Sequence, residues 1–312
     1  MIIVRIATGM GNQMFMYAAG LATAQRLNTE LLLETSSSPK KGRRGNMFNR
    51  DNRPYCLECF PNITEREANF KNLSSKSFWL AVWMYIHKKK MKSKRIFRRL
   101  LNKIIIKFGL TDMKIFNQDT WIEPNYNPEF EKLSDNTFLW GCWEAEKFFK
   151  NIPALVRKKF TFAPECFNPE LLAQVQNCNS VALHIRRGDK VINMSKPIGT
   201  TEDYLKSAIE KIYELTNEPE FFVFSDDLEW CKKVLPQIRD TNWHFIENQT
   251  PPQDMALMTK CKHIITAPST FSWWGAWLND NPNKIIIAPK IERWGGAQEK
   301  NSDLLPDEWI KL

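Results

Sequence analysis

Short apolar runs that end in polar loops alternate along the chain with stretches whose apolar positions repeat every three to four residues. The first run, IIVRI (2–6), predicts a strand. After the turn ATGMGNQ, the residues Met14, Phe15, Ala18, Leu21 and Ala22 share one helical face, and Asn12 is the expected N-cap. ELLLE (30–34) predicts a second strand, so the chain opens as half of a Rossmann unit. Residues 36–76 are rich in Ser, Pro, Asn and charge and read as long loops. Residues 77–108 read as helical. FLWGCW (138–143) reads as a strand, EAEKFFKNIPALVRKKF (144–160) as a helix, and TFAP (161–164) as a connection between domains 1–165 and 166–312.

The second domain is predicted with more regularity. Strands at 181–185, 221–224, 244–247, 263–266 and 284–289 alternate with helices around 202–215, 228–235, 254–262 and 273–278. That alternation predicts an α/β, doubly wound parallel sheet. In such sheets ligands bind at the carboxyl ends of strands. Three strands end in polar loops, RRGD (186–189), SDD (225–227) and PSTFS (268–272), and these are expected on one edge.

Composition narrows the function classes. The net charge of +9 is concentrated in residues 88–107, which hold seven Lys, three Arg and no acid, and the remaining sequence sums to −1. A near-neutral remainder excludes a chain-wide nucleic-acid binder. Ile96, Phe97, Leu100, Leu101, Ile104 and Ile105 give the basic segment an amphipathic pattern. It reads either as a face for an anionic membrane surface or as a core-facing helix with a solvated basic back. Seven cysteines, an odd number, with no signal peptide and no membrane-length apolar run predict a reducing, cytoplasmic setting, with contact at the inner membrane face if 88–107 docks there. Cys56 and Cys59 form an isolated C-x-x-C, read as two free thiols in a surface loop.

The three loops suit a nucleoside diphosphate. Arg186, and second to it Arg187, offer donor forks for a pyrophosphate. Ser269, Thr270 and Ser272 stand at a helix start, where hydroxyls and free N–H groups bind anions. Phe271 could stack on a base, and Asp226 could bind ribose or base donors, or cap the next helix. Gly9 and Gly11 make either a tight turn or a set of amides facing a ligand. No D-x-D occurs, so a metal bridging the phosphates is not expected, and the charge of a departing diphosphate falls to Arg186 and helix-end donors.

Taken together, HIRRGD, FSDD and CKHIITAPSTFSWWGAWLN, with an N-terminal GMGNQMFMYA, resemble the bacterial α-1,2-fucosyltransferases of glycosyltransferase family 11. The resemblance covers the first 25 residues and most of 181–280. It implies a GT-B-like fold, with two Rossmann-like domains facing across a cleft. It also implies GDP-β-L-fucose as donor, no metal, and inversion on transfer to the 2-hydroxyl of a galactose-terminated oligosaccharide or glycolipid. By the same resemblance Arg186 contacts the β-phosphate, and His184 and Asp189 belong to the donor site. Gly11, Asn12 and Gln13 lie in the G-N-Q turn, with Asn12 near the reacting centre. Asp189 is also the expected proton acceptor. Pro268 and Met16 stand where the family commonly has Asn and Gln. A different acceptor hydroxyl, or a non-catalytic nucleotide-sugar or glycan binder, are the competing expectations.

Overall fold

The computed structural model describes residues 1–35, 53–68, 114–118, 125–188, 200–294 and 300–312. The basic segment 88–107, the predicted helix 77–108, Asp189 and most of 36–76 lie outside the described residues.

Strands β1 (Ile2–Arg5), β2 (Leu31–Glu34), β3 (Lys114–Gln118) and β4 (Thr137–Gly141) form a first sheet in the order β2-β1-β4-β3. All its pairings are parallel. Helix α1 (Met10–Arg26) connects β1 to β2. The expected helix over 144–160 is instead a 3-10 turn, Glu146–Phe148, and a short helix α2 (Pro153–Lys159). Pro153 explains the break, because it disfavours helix at the residue before it and fits the first turn of a new one. Helix α3 (Pro169–Asn177) follows, capped by Asn168, whose Oδ1 accepts from the N–H groups of Glu170 and Leu171.

The second sheet holds β5 (Asn179–Ile185), β6 (Pro219–Ser225), β7 (Trp243–Phe245), β8 (His263–Ile265), β9 (Ile286–Ala288) and β10 (Ile310–Lys311). Its order is β10-β9-β8-β5-β6-β7, again all parallel. Between the strands run α4 (Glu202–Leu215), α5 (Leu228–Ile238), α6 (Pro251–Met258) and α7 (Thr270–Leu278). β5 is apolar on both faces because helices cover both, the reason its sequence reads as a continuous run. Val181, Leu183 and Ile185 face Tyr204, Ile209 and Ile212 of α4, while Ala182 belongs to the opposite core with Trp273 and Trp274 of α7.

Two Rossmann-like parallel sheets make the α/β architecture GT-B-like. Strand order also locates the crevices. In the second sheet the chain runs from β5 outward to β6 and β7, then returns to β8 on the other side of β5. In the first it runs from β1 to β2 and returns on the opposite flank, to β3 at the edge and then to β4 beside β1. Such reversals open a binding crevice at the carboxyl ends of the strands. The apolar cluster that holds Phe15 also holds Trp273 and Trp274, so residues on both sides of position 165 share one core. Phe15 lies 4.6 Å from Trp273 and 4.9 Å from Trp274, centroid to centroid. Among the described residues no helix is long and apolar enough to cross a membrane.

Candidate functional site

The neighbours β5 and β6 pair His184 with Phe224 and Ile185 with Ser225, so the residues that follow, Arg186 and Asp226, emerge side by side. Asp226 organises the arginine loop. Its Oδ1 accepts from the Arg187 N–H at 2.9 Å, and its Oδ2 accepts from the Gly188 N–H at 3.2 Å and pairs with Arg186 Nη1 at 3.0 Å. The two side chains of the pair are 27% and 25% exposed, so both reach solvent. The Arg186 N–H donates to Thr200 Oγ1 at 3.2 Å, and this buried threonine closes the loop from behind.

Arg187 turns away from its neighbour. Its Nε lies 3.2 Å from Asp227 Oδ2 and its guanidinium sits 3.9 Å from the centroid of the Trp230 ring. The structure therefore separates the two arginines expected to share a phosphate. Asp226 is not the helix cap either. Asp227 caps α5, accepting from the Trp230 N–H at 3.3 Å.

On the other side of β5, the loop after β8 leads into α7. The Ser269 N–H donates back to the Ala267 carbonyl at 2.7 Å across Pro268, so Pro268 forms the centre of a tight turn. Ser269 is the N-cap of α7, accepting from the Phe271 N–H. Ser272 is fully buried and its Oγ bonds the Ala267 main chain. It secures this turn and is not placed to contact a donor. The half-buried Phe271 ring stands 5.5 Å from the ring of His184. His184 is 6% exposed, and burial followed by the nearby Arg186 pushes its pKa down to about 3, against the opposing pull of Asp226. It is a neutral imidazole whose Nδ1 is enclosed without a hydrogen-bond partner. Trp273, Trp274 and Trp277 are core residues.

The first sheet brings the third wall. The N-cap of α1 is Gly9, not Asn12, which lies within the first turn of the helix. There the Asn12 Oδ1 accepts a hydrogen bond from Thr270 Oγ1 at 2.6 Å, joining the starts of α1 and α7. Gly11 faces the same junction. A methyl group on it would stand 2.5 Å from the Thr270 carbonyl carbon, and its own carbonyl accepts from Trp274 Nε1 at 2.9 Å. Gly11 thus serves the approach of two helices. Gln13 is fully buried, and its amide is spent on the chain. Its Nε2 donates to the carbonyls of Thr8 and Pro54, and its Oε1 accepts from the Cys56 N–H. Its expected donor contact gives way to a clamp on segment 53–56. Met16 places its sulfur 3.3 Å from the Ala7 N–H, so a thioether fills the acceptor role an amide could take.

Sequence reasoning missed two residues beside these loops and one buried acid on α6. Thr200 was hidden by its distance along the chain from Arg186. Arg53 sits in a segment without periodicity, yet its Nη1 would lie 2.9 Å from a methyl on Gly9. Asp254, on α6, has its pKa pushed up to about 7 by burial. An acid directly before the run MALM was the available signal. Cys56 and Cys59 are half-buried, not a surface loop, and burial raises both thiols. Among the described residues no cluster of three or more His, Cys, Asp or Glu is placed to hold a metal ion.

The profile described as Glycosyl transferase family 11 matches residues 1–312. An alpha-1,2-colitosyltransferase of Escherichia coli is 32% identical, across 100% of this chain and 98% of that protein. Human galactoside alpha-(1,2)-fucosyltransferase 1 is 27% identical over 51% of this chain and 46% of its own length. Among solved structures, NodZ alpha-1,6-fucosyltransferase soaked with GDP-fucose aligns with a TM-score of 0.48 at 16% identity, covering 89% of this chain and 91% of that one.

Proposed function

The chain belongs to glycosyltransferase family 11, and from that premise we propose that it moves L-fucose from GDP-β-L-fucose to the 2-hydroxyl of a terminal β-galactoside, with inversion and without a metal. One observation carries the donor half of this reading. Arg186, held by Asp226, follows the central strand whose His184 ring lies 5.5 Å from Phe271 in the first turn of α7. A guanidinium and a helix N-terminus are complementary to a diphosphate. Phe271 offers a base a ring face, and the neutral His184 packed beside it adds no competing charge. The galactoside half draws on relatives such as the human galactoside alpha-(1,2)-fucosyltransferase.

In this reaction the bond from the sugar's anomeric carbon to the β-phosphate oxygen breaks, and its electron pair stays on that oxygen. Arg186 stabilises the developing charge, so the leaving group needs no proton. The acceptor hydroxyl loses its proton to Asp189, a role that Asp189→Asn tests by loss of transfer with GDP affinity retained. Arg186→Ala tests the donor site: GDP binding by calorimetry falls by at least about tenfold, and an unchanged affinity refutes the assignment. Incubation with GDP-fucose and lactose, with the product linkage read by NMR and EDTA present, tests the linkage and the metal independence together.

A second donor has one observation in its favour, since the relative matched end to end is named a colitosyltransferase. Colitose is L-fucose without its 3-hydroxyl. Side-by-side kinetics with GDP-fucose and GDP-colitose separate the two, and a higher kcat/KM for GDP-colitose reassigns the donor.

A further inference from the structure

The side-chain charges of the arginine loop cancel. Arg186 pairs with Asp226 and Arg187 with Asp227, so two guanidiniums meet two carboxylates. A diphosphate that departs with the bonding pair calls for net positive charge, which a cancelled set does not supply. The same edge of the sheet carries a further guanidinium. Arg293 ends a 3-10 turn, Ile291–Arg293, that follows β9, the strand beside β8. The turn is anchored at both ends. The Lys290 N–H donates to the Leu312 carbonyl at 2.7 Å, and the Trp294 side chain is buried.

Two consecutive threonines bring this arginine to the first one. Thr200 Oγ1 accepts from the Arg186 N–H at 3.2 Å, and Thr201 Oγ1 accepts from Arg293 Nη1 at 2.8 Å. A second link runs to the loop after β8. The Arg293 guanidinium stands 6.0 Å over the ring of Tyr204, and the Tyr204 hydroxyl donates to the Thr266 carbonyl, which leads into Pro268–Ser272. Arg293 is thus placed from both sides, by the residues that back the arginine loop and by those that lead into the start of α7. Its hydrogen-bond partner Thr201 is neutral, and among the described residues no carboxylate pairs with it. Glu202, Asp203 and Glu292, the acids nearest in sequence, are exposed. Thr201 is moreover the N-cap of α4, the positive end of a helix, where a cation gains nothing.

We propose that Arg293 is the second cation of the donor diphosphate, taking the place that sequence adjacency suggests for Arg187, with Thr201 as its positioning residue. This rests on the donor reading above. Arg186 follows β5 and Arg293 follows β9, so the two guanidiniums flank the loop after β8, whose helix start supplies main-chain donors. As the β-phosphate oxygen takes the bonding pair, Arg293 adds the positive charge that Asp226 cancels at Arg186.

The test uses the full chain with Arg293→Gln, Arg293→Lys, Thr201→Val and Arg186→Ala. The readouts are calorimetry with GDP and with guanosine, kcat and KM with GDP-fucose, and thermal melting. Arg293→Gln keeps a donor for Thr201 and removes the charge, so it is expected to melt close to wild type. Its GDP affinity is expected to fall by about tenfold or more, with kcat/KM falling alongside and guanosine affinity unchanged. Arg293→Lys is expected to recover part of the loss. Wild-type GDP affinity in Arg293→Gln, alongside weakened binding in Arg186→Ala, overturns this inference and leaves the donor reading standing. Equal losses for GDP and guanosine overturn it too, because the arginine would then serve the fold and not the phosphates. A wild-type protein that binds no GDP overturns the donor reading and this inference with it. Thr201→Val loses the hydroxyl at nearly equal shape and is expected to weaken GDP but not guanosine, whatever the cost to melting; unchanged GDP affinity removes its positioning role.

Discussion

Replacing Asp226 with Asn isolates what fixes Arg186. The change keeps the shape and removes one charge. It breaks the ion pair at 3.0 Å and sets an NH2 group against one of the two main-chain donors, Arg187 N–H or Gly188 N–H. At an effective dielectric of about 20, a pair at that distance has a gross attraction on the order of 5 kcal/mol. Desolvation and the one-quarter exposure of both side chains offset most of it. A half-exposed main-chain donor left facing a donor adds on the order of 1 kcal/mol. The expected loss of stability is therefore about 1–2 kcal/mol, or a few degrees in melting temperature. The functional sign is the sharper test. Removing a negative charge beside a phosphate site should by itself tighten GDP binding. A fall in kcat/KM of about tenfold or more, with no matching loss of fold, can then come only from an arginine that has lost its position. Calorimetry with GDP, steady-state kinetics and melting on the same preparation read all three quantities. Tighter GDP binding with kcat/KM within twofold of wild type would refute the positioning role.

Other substitutions probe the surrounding structure. Arg187→Ala should leave GDP affinity within about threefold of wild type while lowering the melting temperature, since this side chain is engaged with Asp227 and Trp230. Equal losses in Arg186→Ala and Arg187→Ala would contradict that division. Gly11→Ala should cost at least about 3 kcal/mol or prevent folding, because the added carbon meets backbone at 2.5 Å; a melt near wild type would show that the two helices can part without loss. Asp254 has a folded pKa of about 7 against an ordinary 3.8. The folded state thus holds more protons than the unfolded one between those values, and stability should decline as pH rises from about 4 to 7 by up to about 1.4 kcal/mol per unit. Asp254→Asn should therefore melt above wild type at pH 8, with the gap closing toward pH 4. A gap that widens on acidification would reverse the sign and reject the burial argument.

The strands of the second sheet were legible because burial on both faces leaves a run such as VALHI with no competing period. The edge that gathers RRGD, SDD and PSTFS followed from strand alternation, and the structure places β8, β5 and β6 as neighbours. Element ends were less legible. Asn12 looked like a cap by residue type, but the backbone enters the helix earlier, at Gly9. A continuous helix through Pro153 failed for the reason prolines usually impose. Of the residues expected to hold the donor, Gln13 and Ser272 are wholly buried and engaged with main chain. Their polarity served the fold's own hydrogen bonds, which a linear reading cannot distinguish from polarity reserved for a ligand.

Periodicity, chain order and residue type settled the class of the molecule, its parallel sheets and the loops that carry its chemistry, because these depend on local spacing and on which faces must be buried. Direction and partnership were settled only in three dimensions. Arg186 and Arg187 are adjacent and chemically identical, yet one pairs with Asp226 and the other lies on Trp230, because the end of β6 presents Asp226 to one and the start of α5 presents Asp227 to the other. The same is true of Asn12 and Thr270, 258 positions apart, whose hydrogen bond exists only where two helix starts are packed together by a shared aromatic core.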